Sequence, residues 1–441
     1  MTDSTIKILR ARRVWDSRGN PAVEVEIHLA CGATGRAIAP AGASRGTREA
    51  VDLRDGGKAL GGMDVQNAIS NVTSKIAPAL TGMDAGDQSA IDGKLIEIDG
   101  TPLKSHLGGN AMIATSLAVL HAAAAANNTP LWRHVADITG HTPSLPLPEI
   151  QIFGGGAHAG RRVDVQDFMI MVPGASNFDD VMEVTSEIYR AAGDILKTKG
   201  KLGGVADEGG WWPNFDSNEE ALETLVKSIE KTGEKPGDRV VISLDIAASE
   251  FCSKGKYRLA LENRELSPEQ MIELLGRWIE RYPIASIEDP LSEDDPDAMS
   301  AFTRAYGDRL QIIGDDYLVT NASLVSAAAN AGACNAVLIK VNQAGTVTEA
   351  IECLMEAKAK GYRNIVSARS GETEDLSITH LAVGLDAGQL KVGSFTRSER
   401  MAKWNECLRI ESDLADGAFV RGAPLADTWW RDNNKSVDIR R

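Results

Sequence analysis

Apolar and polar positions divide the chain into two kinds of pattern. Residues 23–29, VEVEIHL, alternate apolar with polar and predict a half-buried antiparallel strand. A second strand is expected from Thr34 to Pro40, after a turn at Cys31-Gly32, and a loop of small residues from Ala41 to Gly46 follows it. From about Gly62 to Ala126 apolar residues recur three and four apart, the spacing of amphipathic helices. Met112 to Ala126 is alanine-rich and too short to span a bilayer, so it reads as a buried helix. Residues 1–140 are thus expected to form an α+β unit, a small meander followed by helices. Prolines crowd Pro143 to Pro148 (PSLPLP) and mark the expected boundary, because proline interrupts both helix and central strand. Beyond it short apolar runs alternate with helical segments: FMIMV, VVISLD, IASIE, LQIIGD, AVLIK, NIVSA and QLKVG. Such alternation predicts an α/β fold with a TIM-like (β/α)8 barrel over residues 141–425. Residues 426–441, with Trp429 and Trp430, are expected to form a surface arm.

Several apolar runs end in a charge. Asp245 closes VVISLD, Glu288 follows IASI, Asp315 follows LQIIG and Lys340 closes AVLIK, at intervals of 43, 27 and 25 residues. Each interval is close to one helix plus one strand of a parallel barrel, whose units average about 30 residues. A charge at the C-terminal tip of a barrel strand points into the mouth where such folds keep their chemistry. Any one of these acids could equally cap a helix, but three converging carboxylates repel unless a cation sits between them. An all-oxygen ligand set suits Mg²⁺ better than zinc. Asp289 and Asp316 stand beside the set as supporting groups or plain loop residues. Lys340 reads either as a rim lysine or as a general base whose pKa a nearby cation would lower. Lys391 in QLKVG is a natural second cation for an enolate or a carboxylate.

Three loops add candidates. ADEGGWWPN (206–214) cannot be regular structure, so Asp207 and Glu208 are expected on a loop, where catalytic acids are commonly carried. Gly154 to Gly160 is glycine-rich and holds the single histidine His158. SARSGETED (367–375) groups Arg369, Ser370 and Gly371 after a strand, which suits either a phosphate cradle or a helix N-cap.

Composition narrows the partners. The net charge of −15 and pI near 5.1 argue against nucleic acid and against anionic membrane surfaces. A small anionic substrate would therefore need local compensation from metal ions, Lys and Arg. The five cysteines are scattered without CxxC spacing and read as reduced packing residues. The N-terminus lacks an apolar core long enough for a signal peptide, so a cytoplasmic location is expected. No P-loop or GxGxxG motif is present.

Together these segments resemble the enolase family. WDSRGNPAVEVE, LGGNAMIATSLA, GGGAHAG, VQDFMI, DEGGWWPN, LDIAASEF, SIEDP, GDD, KVNQAGTVTEA, SGETED and RSERMAKWN carry the likeness, in order from Val14 to about Glu411. The resemblance implies an α+β domain capping the barrel, a homodimer, and the interconversion of 2-phosphoglycerate and phosphoenolpyruvate. It implies Asp245, Glu288 and Asp315 as ligands of a first Mg²⁺, and Ser44 as a ligand of a second. Lys340 would be the base, Lys391 its cationic neighbour and Glu208 the acid, with His158, Arg369 and Ser370 lining the substrate. The chain also departs from the family. Enolases typically read SHRSGE where Ser367-Ala368-Arg369-Ser370 stands, and SGAST where Ala41-Gly42-Ala43-Ser44-Arg45 stands. They read NGGSH and QEF against Gly-Gly-Gly-Ala-His158 and Gln166-Asp167-Phe168 here. Three readings follow: a working enolase; a paralogue like carboxyphosphonoenolpyruvate synthase, which joins phosphoenolpyruvate and phosphonoformate; and a non-catalytic scaffold. In the paralogue Arg45 would pair with an added anionic group and Ala368 would make room for it.

Overall fold

The computed structural model describes residues 3–414, 417–435 and 437. The chain opens with an antiparallel meander of β1 (Ile6–Trp15), β2 (Pro21–Leu29) and β3 (Thr34–Ile38). Val23, Val25, Ile27 and Leu29 of β2 turn inward against the helix Gly109–Ala126. That helix is the alanine-rich run read as buried, and 83% of it lies inside the fold. Its small side chains let β3 approach closely: a Cβ on Gly35 would lie 2.2 Å from the Ala118 carbonyl oxygen. β2 is buried on both faces rather than one. Glu24 is held inside by Arg12 at 2.7 Å and Arg36 at 3.4 Å, pairings that an alternating pattern cannot reveal.

The strands of the second half, in chain order, are β4 (Leu147–Gly154), β5 (Asp167–Met171), β6 (Leu202–Val205), β7 (Trp211–Pro213), β8 (Val241–Asp245), β9 (Cys252–Ser253), β10 (Lys256–Leu259), β11 (Arg264–Leu266), β12 (Ile284–Glu288), β13 (Gln311–Gly314), β14 (Ala336–Ile339), β15 (Arg363–Ser367) and β16 (Gly388–Ser394). β4, β5, β8, β12, β13, β14, β15 and β16 pair in that order, and β16 pairs back to β4 to close the barrel. β6 and β7 form a hairpin on the edge of β4, and β9 to β11 a separate small sheet.

Three expectations need correction. The apolar runs identify seven barrel strands; the eighth, β4, begins at the end of the proline-rich stretch, within the residues 141–425 expected to form the barrel, and was not picked out. Pro148 is tolerated because it is the second residue of its strand, where a missing N–H interrupts little of the ladder. β5 runs antiparallel to both neighbours. Only a four-residue 3-10 turn, Gly156–Ala159, separates it from β4, too short to carry the chain back along the barrel for a parallel return, which usually takes a full helix. Finally, Trp429 and Trp430 are not on a free surface arm. Their indole N–H groups donate to the carbonyls of Ile284 and Asp238, each at 2.6 Å, and Trp430 is fully buried at the barrel end opposite the mouth. Residues 436 and 438–441 of that segment lie outside the described residues.

Candidate active site

The strand ends carry the expected charges to one mouth. Asp245 and Glu288 are the last residues of β8 and β12 and are register partners; Asp315 and Lys340 directly follow β13 and β14. All four are buried. Lys391, on β16, donates to Asp245 Oδ2 at 2.8 Å and to Glu288 Oε2 at 2.7 Å. Lys340 donates to Asp315 Oδ2, and Gln343 holds Asp315 Oδ1 at 2.9 Å. Burial, and then the charge of Asp245, push the Glu288 carboxyl well above the usual range. Burial alone would depress Lys340, but the charges of Asp315 and Glu288 together outweigh it and the amine is raised. The expected lowering of Lys340 therefore does not arise from the protein groups alone. Asp289, in the left-handed region at φ 40°, accepts the backbone N–H groups of Asp315 and Asp316 at 2.9 and 2.8 Å. It pins the turn that aims Asp315.

The antiparallel β5 contributes from its first residue. Because it runs backwards, Asp167 stands at the mouth, in register with Asp245. Gln166 beside it donates to Asp245 Oδ2 at 3.1 Å. Asp167 accepts from Gln151 and lies 3.1 Å from His158 Nδ1 and 3.7 Å from Lys391. Glu208 lies in the turn between β6 and β7, 3.9 Å from His158 Nε2. Burial acts to lower His158, but Glu208 and Asp167 outweigh it and lift it to about 9. The segment read as wholly irregular thus contains a short strand, β7, whose pairing with β6 presents Glu208.

The N-terminal domain closes the mouth. Ala41 and Gly371 exchange backbone hydrogen bonds of 2.9 and 2.8 Å, seating the loop after β3 over the barrel. Ala43 N–H donates to Ser370 Oγ at 2.6 Å, and Arg369 donates to the Ser44 carbonyl at 2.9 Å. Arg369 also forms a buried pair with Glu49 at 2.9 Å. Ser44, Ala368, Arg369 and Ser370 line the same cavity as His158, Gln166, Asp167, Glu208, Asp245, Lys340 and Lys391. Only about 20 Å³ remains free beneath the seated loop. Arg45 is the exception among the expected site residues. Its side chain is 53% exposed and turns outward, 4.0 Å from Asp52, because the backbone at Ser44 is tied inward by Arg369. Glu49, Gln151 and Gln343 were missed. Glu49 lies in a loop beside Ala41–Gly46 and Gln343 in the short helix that opens KVNQAGTVTEA, and only their tertiary partners distinguish them from solvated residues.

The donor set suits a hard cation. Glu288 Oε1 is buried without a hydrogen-bond partner, with Asp245 and Asp315 close by, and the ligand atoms these three carboxylates offer are all oxygens. A second acidic group, Asp289, Asp315 and Asp316, brings carboxylate oxygens within 4.8 Å of one another.

Comparison with known proteins agrees with this architecture. The family model described as "Enolase, N-terminal domain" matches residues 6–135, and "Enolase, C-terminal TIM barrel domain" matches residues 142–428. A curated relative, Enolase 1 of Desulfitobacterium hafniense (strain Y51), is 49% identical over 416 residues, covering 94% of this chain and 95% of that protein. Both halves of the fold, and the loops that join them over the mouth, fall within the matched length. The chain belongs to the enolase family and is an enolase-superfamily lyase.

Proposed function

We propose that this enzyme removes the proton alpha to the carboxylate of a small phosphorylated acid, with 2-phosphoglycerate and phosphoenolpyruvate as its substrate pair and Mg²⁺ as its cofactor. One observation carries the reading: two buried lysines are paired with three strand-end carboxylates, Lys340 with Asp315 and Lys391 with Asp245 and Glu288. Lys340 Nζ is assigned the alpha proton, and Lys391 faces the developing enolate with its positive charge. Glu208 is assigned the proton that leaves with the β-hydroxide as water. His158 and Asp167 orient that side of the pocket through their mutual contact. Ser370 and Arg369 supply the phosphate side. Asp245, Glu288 and Asp315 would hold Mg²⁺, which supplies positive charge for the substrate carboxylate and the enolate. Engagement of Asp315 by a cation would also weaken the pairing that now keeps Lys340 protonated.

A second reading rests on Ala368. This small side chain lines the pocket where the family reads histidine, a replacement of the kind a phosphonoformate-using paralogue with a larger anion would need. Arg45 no longer supports that reading, since it faces away. The test is dehydration of 2-phosphoglycerate by the purified protein with Mg²⁺. Turnover of roughly 1–1,000 per second, abolished by EDTA, supports the first reading. A folded protein that binds Mg²⁺ yet fails to turn over 2-phosphoglycerate, but consumes phosphoenolpyruvate with phosphonoformate, supports the second.

A further inference from the structure

A second cavity, of about 530 Å³, lies on the outer side of the loop that covers the catalytic mouth. Four arginines from four separate segments line it: Arg18 from the turn after β1, Arg45 from the covering loop, Arg54 beyond that loop, and Arg161 from the loop that follows His158. Asp52 is the one carboxylate among its lining residues. Asp52 is already committed to Arg54, whose Nε and Nη2 both reach it at 2.9 Å. Arg45 stands 4.0 Å from Asp52 and makes no hydrogen bond among the described residues. Arg161 is paired on its outer side with Glu250 at 2.7 Å, and its side chain is 62% exposed. Arg18 is tied to the Ala41 carbonyl at 3.0 Å, and its nearest acid, Asp16, is 3.8 Å away. So four arginines line a cavity whose lining holds a single carboxylate, already taken by Arg54, in a chain whose net charge is −15, and Arg45 is the one of the four with no partner closer than 4.0 Å.

Arg18 and Arg54, the two inner arginines, repel each other, and their shielding from solvent makes that repulsion costlier. Arg18 reports that environment: burial lowers it, and Arg369 and Arg54 lower it further against the pull of Asp16 and Asp207. An acidic protein that gathers arginines around a cavity of this size has built a place for an anion.

We propose that this cavity is a second oxyanion site, taking a phosphate-class anion on Arg45 and Arg161 with Arg18 and Arg54 behind them. Its position gives it a consequence. Arg45 adjoins Ser44, and Arg161 follows His158 by three residues, so the site draws on both loops that carry residues into the catalytic pocket. Gly42 lines both cavities. An oxyanion held here ties the two loops together and favours the closed state of the mouth.

The test is calorimetric titration of inorganic phosphate into the full-length protein and two variants. Arg45→Gln with Arg161→Gln removes two outward-facing charges whose side chains are more than half exposed, so the core is untouched. Lys340→Ala strips a cation from the catalytic pocket instead. The expected result is phosphate binding that weakens about tenfold or more in the double variant and stays at the wild-type level in Lys340→Ala. Unchanged binding in the double variant overturns the proposal. So does an equal loss in Lys340→Ala, which would seat the phosphate in the catalytic pocket, and so does the absence of phosphate binding to the wild type.

Discussion

Glu149 shows what a single residue inside this barrel can do. It is fully buried on β4, in register with Lys391 on β16, and accepts from Gln389 at 2.7 Å. Burial, offset in part by Lys391, raises its carboxyl to about 7. A carboxyl raised from 4.5 to about 7 favours the folded state fully below pH 4.5 and loses that contribution as pH climbs through 7. Glu149→Gln is therefore expected to be more stable than the wild type at pH 8, by on the order of 3 kcal/mol, and no more stable at pH 4.5. Urea unfolding at the two pH values reads this difference, and an equal difference at both would contradict it. Glu149 was hidden in the sequence because it stands among prolines. Asp245, Glu288, Asp315 and Lys340 were legible because position at the end of an apolar run fixes where a side chain sits in a barrel. Arg45 was not legible as outward-facing, since a loop residue's direction depends on what holds its neighbours, here Arg369 on Ser44.

The covering loop is the element on which closure turns. Its seat is Gly371, where an added Cβ would lie 2.4 Å from Asp16 Oδ2 and 2.8 Å from the Ala41 carbonyl. Gly371→Ala is expected to hold the loop off the barrel and cut turnover by about 100-fold, as misplacement of a closing segment does. The same variant should be cleaved more readily between residues 41 and 46 in limited proteolysis. Normal turnover with an uncut loop would show that closure does not depend on this contact. Element identity was readable where apolar runs are well defined, as in β8 and β12, each apolar but for one serine before its closing acid. It failed at β4, where prolines mask the strand, and the direction of β5 was unreadable because strand patterning is the same either way. That direction matters chemically, since it puts Asp167 at the mouth instead of at the floor.

At the scale of the molecule, two domains meet at one mouth, and stability and chemistry are spatially separated. Trp430 is fully buried at the far end of the barrel. Trp430→Ala is expected to lower stability by about 3–5 kcal/mol in denaturant unfolding while leaving kcat at low temperature near the wild-type value. A large loss of kcat in the folded variant would tie the two ends together. The overall architecture was legible because the ordered motifs span nearly the whole chain; the closure of one domain over the other was not, since it rests on pairs such as Arg369–Glu49 that lie 320 positions apart. The central claim is that Lys340 takes the alpha proton in this mouth, and hydrogen exchange tests it most directly. 2-Phosphoglycerate is incubated with enzyme and Mg²⁺ in deuterated water, and deuterium at the alpha carbon is followed by nuclear magnetic resonance. Exchange catalysed by the wild type and lost in a Lys340→Ala variant that still binds Mg²⁺ is the expected result. Exchange that persists in Lys340→Ala, or never occurs with the wild type, would contradict the account.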